Sequence, residues 1–156
     1  MKLLVFTVVV LLSLNTKIIA GEISGFAVVT DGDTIKILHN KIRLHGIDAP
    51  EKKQKCTKNA KKYNCGIVAT EMLIKKISKN TVKCVTQKNK DRYNRFIGVC
   101  FVEQIDLNRW MVRNGYAVAY KRYSKDYILD ETFAKTNKLG LWSGTFLKPE
   151  KWRKLN

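Results

Sequence analysis

Three short β-rich runs follow one another in the first third of this chain and restrict its fold more than any other feature. In order, they are Gly25–Thr30, Asp33–Leu38 and Ile42–Ile47. Asp31-Gly32, between the first two runs, is a strong signal for a hairpin turn, and Asn40 suits the turn before the third. Pro50 ends the third run because proline cannot donate to a strand ladder. The sequence therefore predicts three consecutive strands joined by tight turns.

A helix and two further strands are predicted next. Asn64 suits the N-cap of a helix that runs through Ser78, with Asn80 as a left-handed stop. Thr81–Gln87 and Phe96–Val102 are typical of strands that flank a polar turn.

Two more helices and a basic tail complete the predicted elements. Asp106 caps the first of these helices and Gly115 ends it, whereas Ser124 caps the second and Gly140 ends it. We expect the tail to pack back on the domain. The pattern predicts a mainly β, α+β fold: a five-stranded OB-fold Greek-key barrel with about three helices, in one domain over residues 21–156.

Residues 1–20 are typical of a signal peptide. Lys2 precedes an apolar run from Leu3 to Leu14, and Ala20 is a small residue at the expected cleavage point. This run of 12 residues falls short of the roughly 20 that a membrane-spanning helix needs. We predict an exported protein, periplasmic or secreted, that is cleaved after Ala20 and has no stable membrane association afterwards.

The charge balance indicates a polyanionic partner. Residues 1–20 hold two of the 30 lysines and arginines and none of the 13 acidic residues, so residues 21–156 carry a charge of +15. Nucleic acid is the first candidate for such a partner, and an anionic membrane surface is the second. The charge alone names no activity.

Four cysteines predict two disulfides in an exported chain. Three pairings are formally possible, and local structure favours Cys56–Cys65 and Cys84–Cys100. We expect the lysine-rich segment 51–62 to be an exposed loop, which the first pair would staple; closing the ten-residue loop between its cysteines would stabilise the protein by about 2–3 kcal/mol. Cys84 and Cys100 lie opposite each other if the two later strands form a hairpin, so a bridge between them is geometrically sensible.

Several carboxylates cluster near one arginine in this basic chain. Asp31, Asp33, Asp48 and Glu51 lie within 21 residues of one another, with Arg43 among them. Carboxylates hold hard divalent cations, arginine binds phosphate oxygens, and a glutamate can orient or deprotonate water. These residue types together predict metal-assisted phosphodiester hydrolysis.

The chain resembles the staphylococcal nuclease family, in its exported bacterial branch. The resemblance rests on four motifs: VVTDGDTIKI, IRLHGIDAPE, DRYNRFIGV and LNRWMVRNGYAVAY. They run in order across residues 25–142. The resemblance implies an OB-fold barrel with three helices and calcium-dependent cleavage of DNA and RNA that leaves 3′-phosphate ends.

The resemblance also implies a site for one Ca²⁺ ion. Asp33 and Asp48 would supply carboxylate ligands, and Ala49 would supply its backbone carbonyl. Asp31 would act through water.

Three residues would carry the reaction in this resemblance. Glu51 would act on the attacking water, as general base or by positioning it, while Arg43 and Arg95 would bind the scissile phosphate. Asn94 stands where the family has glycine before Arg95, and asparagine tolerates the positive φ of such a turn.

Aromatic and basic side chains would contact the rest of the substrate. Tyr93 and Tyr120 match family positions, and Tyr123 matches one more loosely. We also assign Arg92 and Lys53 to substrate binding. Stacking and a basic groove do not read sequence, so little sequence specificity is expected.

Two other functions compete with a monomeric nuclease. One is a catalytically silent OB-fold module that only binds nucleic acid, and the other is a basic membrane-surface protein. The resemblance assigns metal binding, phosphate binding and water activation to five residues, and the retention of all five favours the enzyme over the module: Asp33, Arg43, Asp48, Glu51 and Arg95. A membrane-surface protein would need an uncleaved N-terminal segment or a basic amphipathic helix, and none of the three predicted helices is of that kind.

Overall fold

The computed structural model describes residues 21–156, in which ten strands and four helices form. The predicted signal peptide, residues 1–20, lies outside the described residues. The strands are β1 Gly21–Asp31, β2 Thr34–Ile37, β3 Asn40–Leu44, β4 Ile47–Asp48, β5 Cys56–Lys58, β6 Lys61–Tyr63, β7 Thr81–Thr86, β8 Phe96–Val102, β9 Ile105–Asp106 and β10 Val118–Ala119. The helices are α1 Cys65–Ile77, α2 Leu107–Arg113, α3 Ile128–Thr136 and α4 Pro149–Leu155, with a 3₁₀ turn at Gly140–Ser143.

Five of the strands close into a barrel. The sheet order is β3-β2-β1-β7-β8, and a parallel pairing of β3 with β8 joins the two ends. β1 is long enough to serve two neighbours, since Gly21–Phe26 pairs with β7 and Ala27–Asp31 pairs with β2. The predicted OB-fold barrel is confirmed, with four helices rather than three.

The barrel interior is a continuous apolar core. Strand alternation sends every second side chain inward, and helices α1 and α2 add their apolar faces. The fully buried apolar side chains include Ile35, Ile37, Ile42, Leu44, Ile47, Leu73, Leu107 and Met111.

A buried asparagine fastens helix α2 to the barrel closure. Asn108 Oδ1 accepts from the Cys100 amide at 3.1 Å, and its Nδ2 donates to the carbonyls of His45 at 2.9 Å and Gly98 at 3.1 Å. Because these carbonyls lie after β3 and on β8, Asn108 ties together the two strands whose parallel pairing closes the barrel. The sequence analysis did not single it out.

Both favoured disulfides are present. Cys56 joins Cys65, and Cys84 joins Cys100. Cys84 and Cys100 are direct register partners of the β7–β8 hairpin, as the hairpin prediction required.

Residues 51–62 are not the plain loop that was predicted. They include β5 and most of the short hairpin it forms with β6, in which Asn59 and Ala60 both have positive φ, 49° and 58°. Two consecutive positive-φ residues make the turn geometry that twisted hairpins favour.

The third predicted strand is divided. β3 ends at Leu44 because Gly46 turns the chain with φ 72°. Ile47–Asp48 then pairs with β10 instead.

Two predicted helices differ from the structure at their ends. Helix α1 begins after Asn64 without a side-chain cap bond, and its positive-φ residue is Ser78 rather than Asn80. Helix α3 begins at Ile128 because Ser124 accepts from the Asp126 amide in a local turn, and it ends at Thr136 rather than at Gly140.

The basic tail packs back on the domain as expected, and part of it forms helix α4. Proline at the first helical position suits this start, because its missing N–H would have no partner there. Across residues 21–156, the helices are too short or too polar to cross a bilayer.

Candidate active site

Two carboxylates and an arginine form a buried cluster at one end of the barrel. Arg43 on β3 donates through Nη1 to Asp33 Oδ1, and through Nη2 to Asp48 Oδ1 at 3.2 Å. Asp33 and Asp48 are 4% and 1% exposed. The structure therefore brings together three of the residues that the sequence predicted for metal and phosphate binding.

Local folding explains how these side chains meet. Asp33 follows the Asp31-Gly32 turn, and Asp31 Oδ1 accepts from the Asp33 amide at 3.0 Å. Arg43 lies opposite Thr34 in the β2–β3 register, one residue from Asp33. Asp48 is brought alongside by the turn at Gly46, which starts the separate strand β4.

Burial and mutual repulsion perturb this cluster. The pKa of Asp31 is raised to about 6 by burial first and by the Asp33 charge second. Burial also raises the pKa of Asp48, although hydrogen bonds from Arg153 oppose the shift. The site thus concentrates negative charge in a poorly hydrated place, where a cation is strongly favoured.

Ala49 lies against Asp33. Its amide donates to Asp33 Oδ2 at 2.9 Å, and the residue is 3% exposed. This contact uses the N–H of Ala49, whereas the carbonyl of Ala49 was predicted to bind the cation. The role of the carbonyl stays a prediction.

The oxygens of the cluster fit a hard divalent cation. Among the described contacts, Asp33 Oδ2 and Asp48 Oδ2 each accept a single hydrogen bond and retain a lone pair. Over residues 21–156, no three His, Cys, Asp or Glu side chains converge to enclose an ion. Two carboxylates with backbone and water oxygens suit a partly hydrated divalent cation rather than a closed cage.

Glu51 reaches the cluster through an arginine that the sequence analysis missed. Arg153, on helix α4, donates through Nη1 to Asp48 Oδ1 and Glu51 Oε1, both at 2.9 Å. Its Nη2 donates to Asp48 Oδ2 at 3.1 Å. Arg153 lies 102 residues after Glu51 in a generally basic tail, so no local spacing marks it.

The backbone of Glu51 is fixed by two further residues that the sequence analysis missed. Gln54, fully buried, donates its amide N–H to the Glu51 carbonyl at 2.7 Å, while its side-chain Oε1 accepts from the Glu51 amide at 3.3 Å. Gly66 on helix α1 approaches so closely that a Cβ there would lie 1.8 Å from the Glu51 carbonyl oxygen. A glycine just after a predicted helix cap was the one available sequence signal.

Arg95 is held by a carboxylate of its own turn. Asp91 Oδ2 accepts from Arg95 Nε at 2.9 Å and Nη2 at 2.8 Å, while Oδ1 accepts from the Tyr93 and Arg95 amides at 2.9 Å each. The turn also uses Asn94 at φ 60°, as predicted. The described side-chain contacts of Arg95 are with Asp91 and Tyr93, so the predicted action of Arg95 together with Arg43 and Glu51 stays a prediction.

The predicted aromatic contacts form two groups. Tyr93 is 61% exposed, with the Arg92 and Arg95 guanidinium groups 4.8 and 5.2 Å from its ring centre. Tyr120 and Tyr123 meet edge to face at 4.7 Å.

Tyr120 follows strand β10, and its amide donates to the Gly46 carbonyl at 2.8 Å. Burial first, and the charge of Asp48 second, raise the pKa of Tyr120. Lys53 is exposed between Glu51 and Gln54, with no described hydrogen bond or ion pair.

Known proteins with similar sequences were compared with this chain. The family described as staphylococcal nuclease homologue matches residues 41–144, more than half of the chain. A succinoglycan biosynthesis protein, ExoI, of Rhizobium meliloti is 36% identical over 126 residues, covering 79% of this chain and 66% of that protein.

Two relatives carry nuclease names. An uncharacterized endonuclease of Escherichia coli O157:H7 is 35% identical over 142 residues, covering 86% of each chain. A micrococcal nuclease of Shigella flexneri is 33% identical over 144 residues, covering 81% of this chain and 77% of that protein.

Proposed function

The chain belongs to the staphylococcal nuclease family, and from this membership we propose that it is an exported, calcium-dependent nuclease. It would hydrolyse phosphodiester bonds of DNA and RNA with little sequence preference and leave 3′-phosphate ends. The observation that carries the proposal is the buried Asp33–Arg43–Asp48 cluster, to which Arg153 links Glu51. It combines cation ligands, a phosphate-binding arginine and a candidate for acting on water in one place.

Asp33 and Asp48 would hold the cation, with the Ala49 carbonyl as a backbone ligand and Asp31 acting through water. A calcium ion there would neutralise charge on a phosphate oxygen as a Lewis acid. Two of these residues already share the guanidinium of Arg43. A bound phosphate would therefore meet the cation and Arg43 side by side.

Arg43 keeps its charge under all ordinary conditions. Burial acts to lower the pKa of Arg43, but the charges of Asp33 and Asp48 outweigh that effect and raise it. Arg43 is thus a permanent, oriented cation that can donate to the non-bridging phosphate oxygens as negative charge builds up in the transition state.

Arg95 would neutralise the phosphate from a second direction. Asp91 engages Nε and Nη2, which leaves the N–H groups of Nη1 for a substrate oxygen. A guanidinium whose rotamer is already fixed loses little entropy when it binds phosphate.

Glu51 would orient the attacking water or take its proton. Its side chain is 35% exposed, so water reaches it, while Gln54 fixes its backbone. A carboxylate held next to a bound phosphate would orient a water molecule for in-line attack on the phosphorus.

The remaining contacts suit single-stranded nucleic acid and do not select a particular base sequence. Tyr93 and Tyr123 are 61% and 63% exposed and can stack on any base. Tyr120, Arg92 and Lys53 would add polar and backbone contacts. A net charge of +15 over residues 21–156 supports DNA and RNA as substrates.

Export and a monomeric state belong to the same proposal. Two disulfides are stable in an oxidising compartment, which supports a periplasmic or secreted protein cleaved after Ala20. The site uses residues of one chain, so a monomer without stable membrane association suffices.

The test is cleavage by the oxidised, processed protein. Plasmid DNA and single-stranded RNA are incubated in calcium and then in excess chelator, and product ends are tested for release of phosphate by a phosphatase. We expect cleavage in calcium alone and phosphatase-sensitive 3′ ends. Chelator-resistant cleavage would contradict the metal mechanism, and binding without cleavage would indicate the catalytically silent module.

A pair of glutamate variants tests the site. Glu51→Gln should abolish turnover and retain nucleic-acid binding, because it keeps the shape and loses the charge. Glu71→Gln, on the exposed face of helix α1, is the matched control and should cleave at the wild-type rate. Near-normal turnover by Glu51→Gln would refute the assigned role.

A further inference from the structure

Arg153 is inserted among the carboxylates that the proposed function gives to a cation and to water activation. Its guanidinium forms a bidentate pair with Asp48, through Nη1 at 2.9 Å and Nη2 at 3.1 Å. The same Nη1 is 2.9 Å from Glu51. A single side chain from helix α4 therefore joins the predicted metal ligand to the predicted general base.

The segment that leads into helix α4 is fastened to the loop after Glu51. Thr57 and Thr145 exchange two backbone hydrogen bonds, at 2.8 and 2.9 Å. Gln54 Nε2 donates to the Leu147 carbonyl at 2.6 Å. Arg153 is thus delivered by an anchored segment and not by a freely swinging tail.

One weaker contact attaches the helix itself to the opposite side of the site. Arg122, close to Tyr120 and Tyr123, lies 3.4 Å from Glu150. Both side chains are substantially exposed, so this pair contributes little. The described polar contacts of the helix with the rest of the domain are therefore this weak pair and those of Arg153, whereas Thr145 and Leu147 are anchored by backbone hydrogen bonds.

Arg43 and Arg153 together leave Asp48 a single free lone pair, on Oδ2, for a cation. Asp48 Oδ1 already accepts from Arg43 and Arg153, which fills its two lone pairs, and Oδ2 accepts from Arg153. A divalent cation on Asp48 would also repel a guanidinium held at hydrogen-bond distance from the same carboxylate. The Arg43 side chain is 16% exposed and that of Arg153 is 33% exposed, so Arg153 is the arginine free to leave.

We propose that Arg153 is an additional active-site residue that competes with the divalent cation for Asp48, and that cation binding and docking of helix α4 are therefore coupled. The inference rests on the proposed function, since it concerns the cation of that site. Without the cation, the guanidinium of Arg153 supplies the positive charge next to Asp48 that the bound cation would otherwise supply. When the cation takes Asp48, Arg153 withdraws and the Glu51 carboxylate is released from its ion pair with Arg153.

Coupling of this kind is reciprocal. If Arg153 weakens cation binding, the cation weakens docking of helix α4 by the same factor. Couplings between sites typically amount to about 5–150-fold. The two directions can be measured independently, which gives two separate tests.

The first test measures calcium affinity by isothermal titration calorimetry on the oxidised protein without substrate. Arg153→Met removes the charge and keeps an extended side chain; we expect calcium to bind about tenfold tighter or more. Lys151→Met removes one charge from the same helix at an exposed position and should change the affinity by less than about twofold. Equal affinities in the two variants, or weaker binding in Arg153→Met, would overturn the inference.

The second test uses the unmodified protein, so it does not depend on any variant folding. Hydrogen exchange of residues 145–156 is compared with and without calcium. We expect faster exchange in residues 149–156 with calcium, and little change in α1 as an internal reference. Unchanged or slower exchange in helix α4 with calcium bound would refute the coupling.

These outcomes are distinguishable from failure of the proposed function. If the wild-type protein cleaves nucleic acid in calcium but Arg153→Met binds calcium no better than Lys151→Met does, the nuclease stands and this inference falls. If the wild-type protein neither binds calcium nor cleaves in it, both fall.

Discussion

Gly66→Ala is the substitution for which local propensity and the fold make opposite predictions. Gly66 is the second residue of helix α1, where alanine normally stabilises a helix by about 0.5–1 kcal/mol relative to glycine. In this fold, a Cβ at Gly66 would lie 1.8 Å from the Glu51 carbonyl oxygen and 2.9 Å from Lys52 Cα. Both obstacles are backbone atoms, so no side chain can rotate away.

The size of the effect follows from that overlap. Cβ contacts below 3.0 Å essentially never occur, so the loop and the helix must separate by at least about 1.2 Å. Overpacking of this kind costs about 1–3 kcal/mol of stability. A displacement of about 1 Å at a catalytic group can lower the rate about 100-fold. We therefore expect Gly66→Ala to unfold more easily and to lose about two orders of magnitude in kcat.

Two measurements check this expectation: urea unfolding at pH 7, and steady-state cleavage of single-stranded DNA in saturating calcium. Glu71→Ala is the control, because it also places alanine in helix α1 but at an exposed site, where changes stay within about 0.5 kcal/mol. A Gly66→Ala protein that is more stable than wild type and equally active would refute the reasoning. Stability loss with full activity would show that Glu51 tolerates displacement of its backbone.

Three further predictions concern other parts of the fold. Asp91→Asn removes the charge-assisted pair that orients Arg95; kcat should fall about 10- to 100-fold with KM changed by less than about threefold, and an unchanged kcat would contradict this. Replacing Cys84 and Cys100 together by alanine should cost about 3 kcal/mol in urea unfolding because the bridge spans 16 positions, and a loss below about 1 kcal/mol would refute the assignment. Burial acts to raise the pKa of Glu131, but hydrogen bonds from two lysines outweigh it, and the pKa is lowered. The stabilisation by Glu131 is therefore present above the unfolded pKa of about 4.3 and is lost as the pH falls through the lower folded pKa. Glu131→Gln should lower the free energy of unfolding by about 1–3 kcal/mol at pH 7. A difference in unfolding free energy from wild type that does not change with pH would contradict this.

The barrel was predictable because its strands carry alternation and strong turn signals. Phe96–Val102 was predicted with the bounds that the structure has, and the hairpin register gave the Cys84–Cys100 pair. The β5–β6 hairpin was missed because its turn uses Asn59-Ala60, in which alanine carries no positive-φ signal, and because its lysines show no apolar alternation.

The candidate site was predictable where its residues are close in sequence. Asp33, Arg43 and Asp48 lie within 16 positions, and two short turns are enough to bring them together. Arg153 was not predictable, since its contact with Asp48 spans 105 positions and depends on how the tail docks. A lone arginine in a basic tail looks the same whether it faces solvent or a carboxylate.

Three residues that sequence reasoning missed, Gln54, Gly66 and Arg153, act on one short segment, and this changes how the site should be understood. Glu51 is restrained on its backbone by Gln54 and Gly66, and on its carboxylate by Arg153. The restraints on the backbone are permanent, because they involve buried or close-packed atoms. The restraint on the carboxylate is an exposed ion pair that another cation can replace. The backbone of Glu51 is therefore fixed, whereas the ion pair of its carboxylate can be exchanged. A water-activating group needs this combination if its reactivity is to depend on a bound cation.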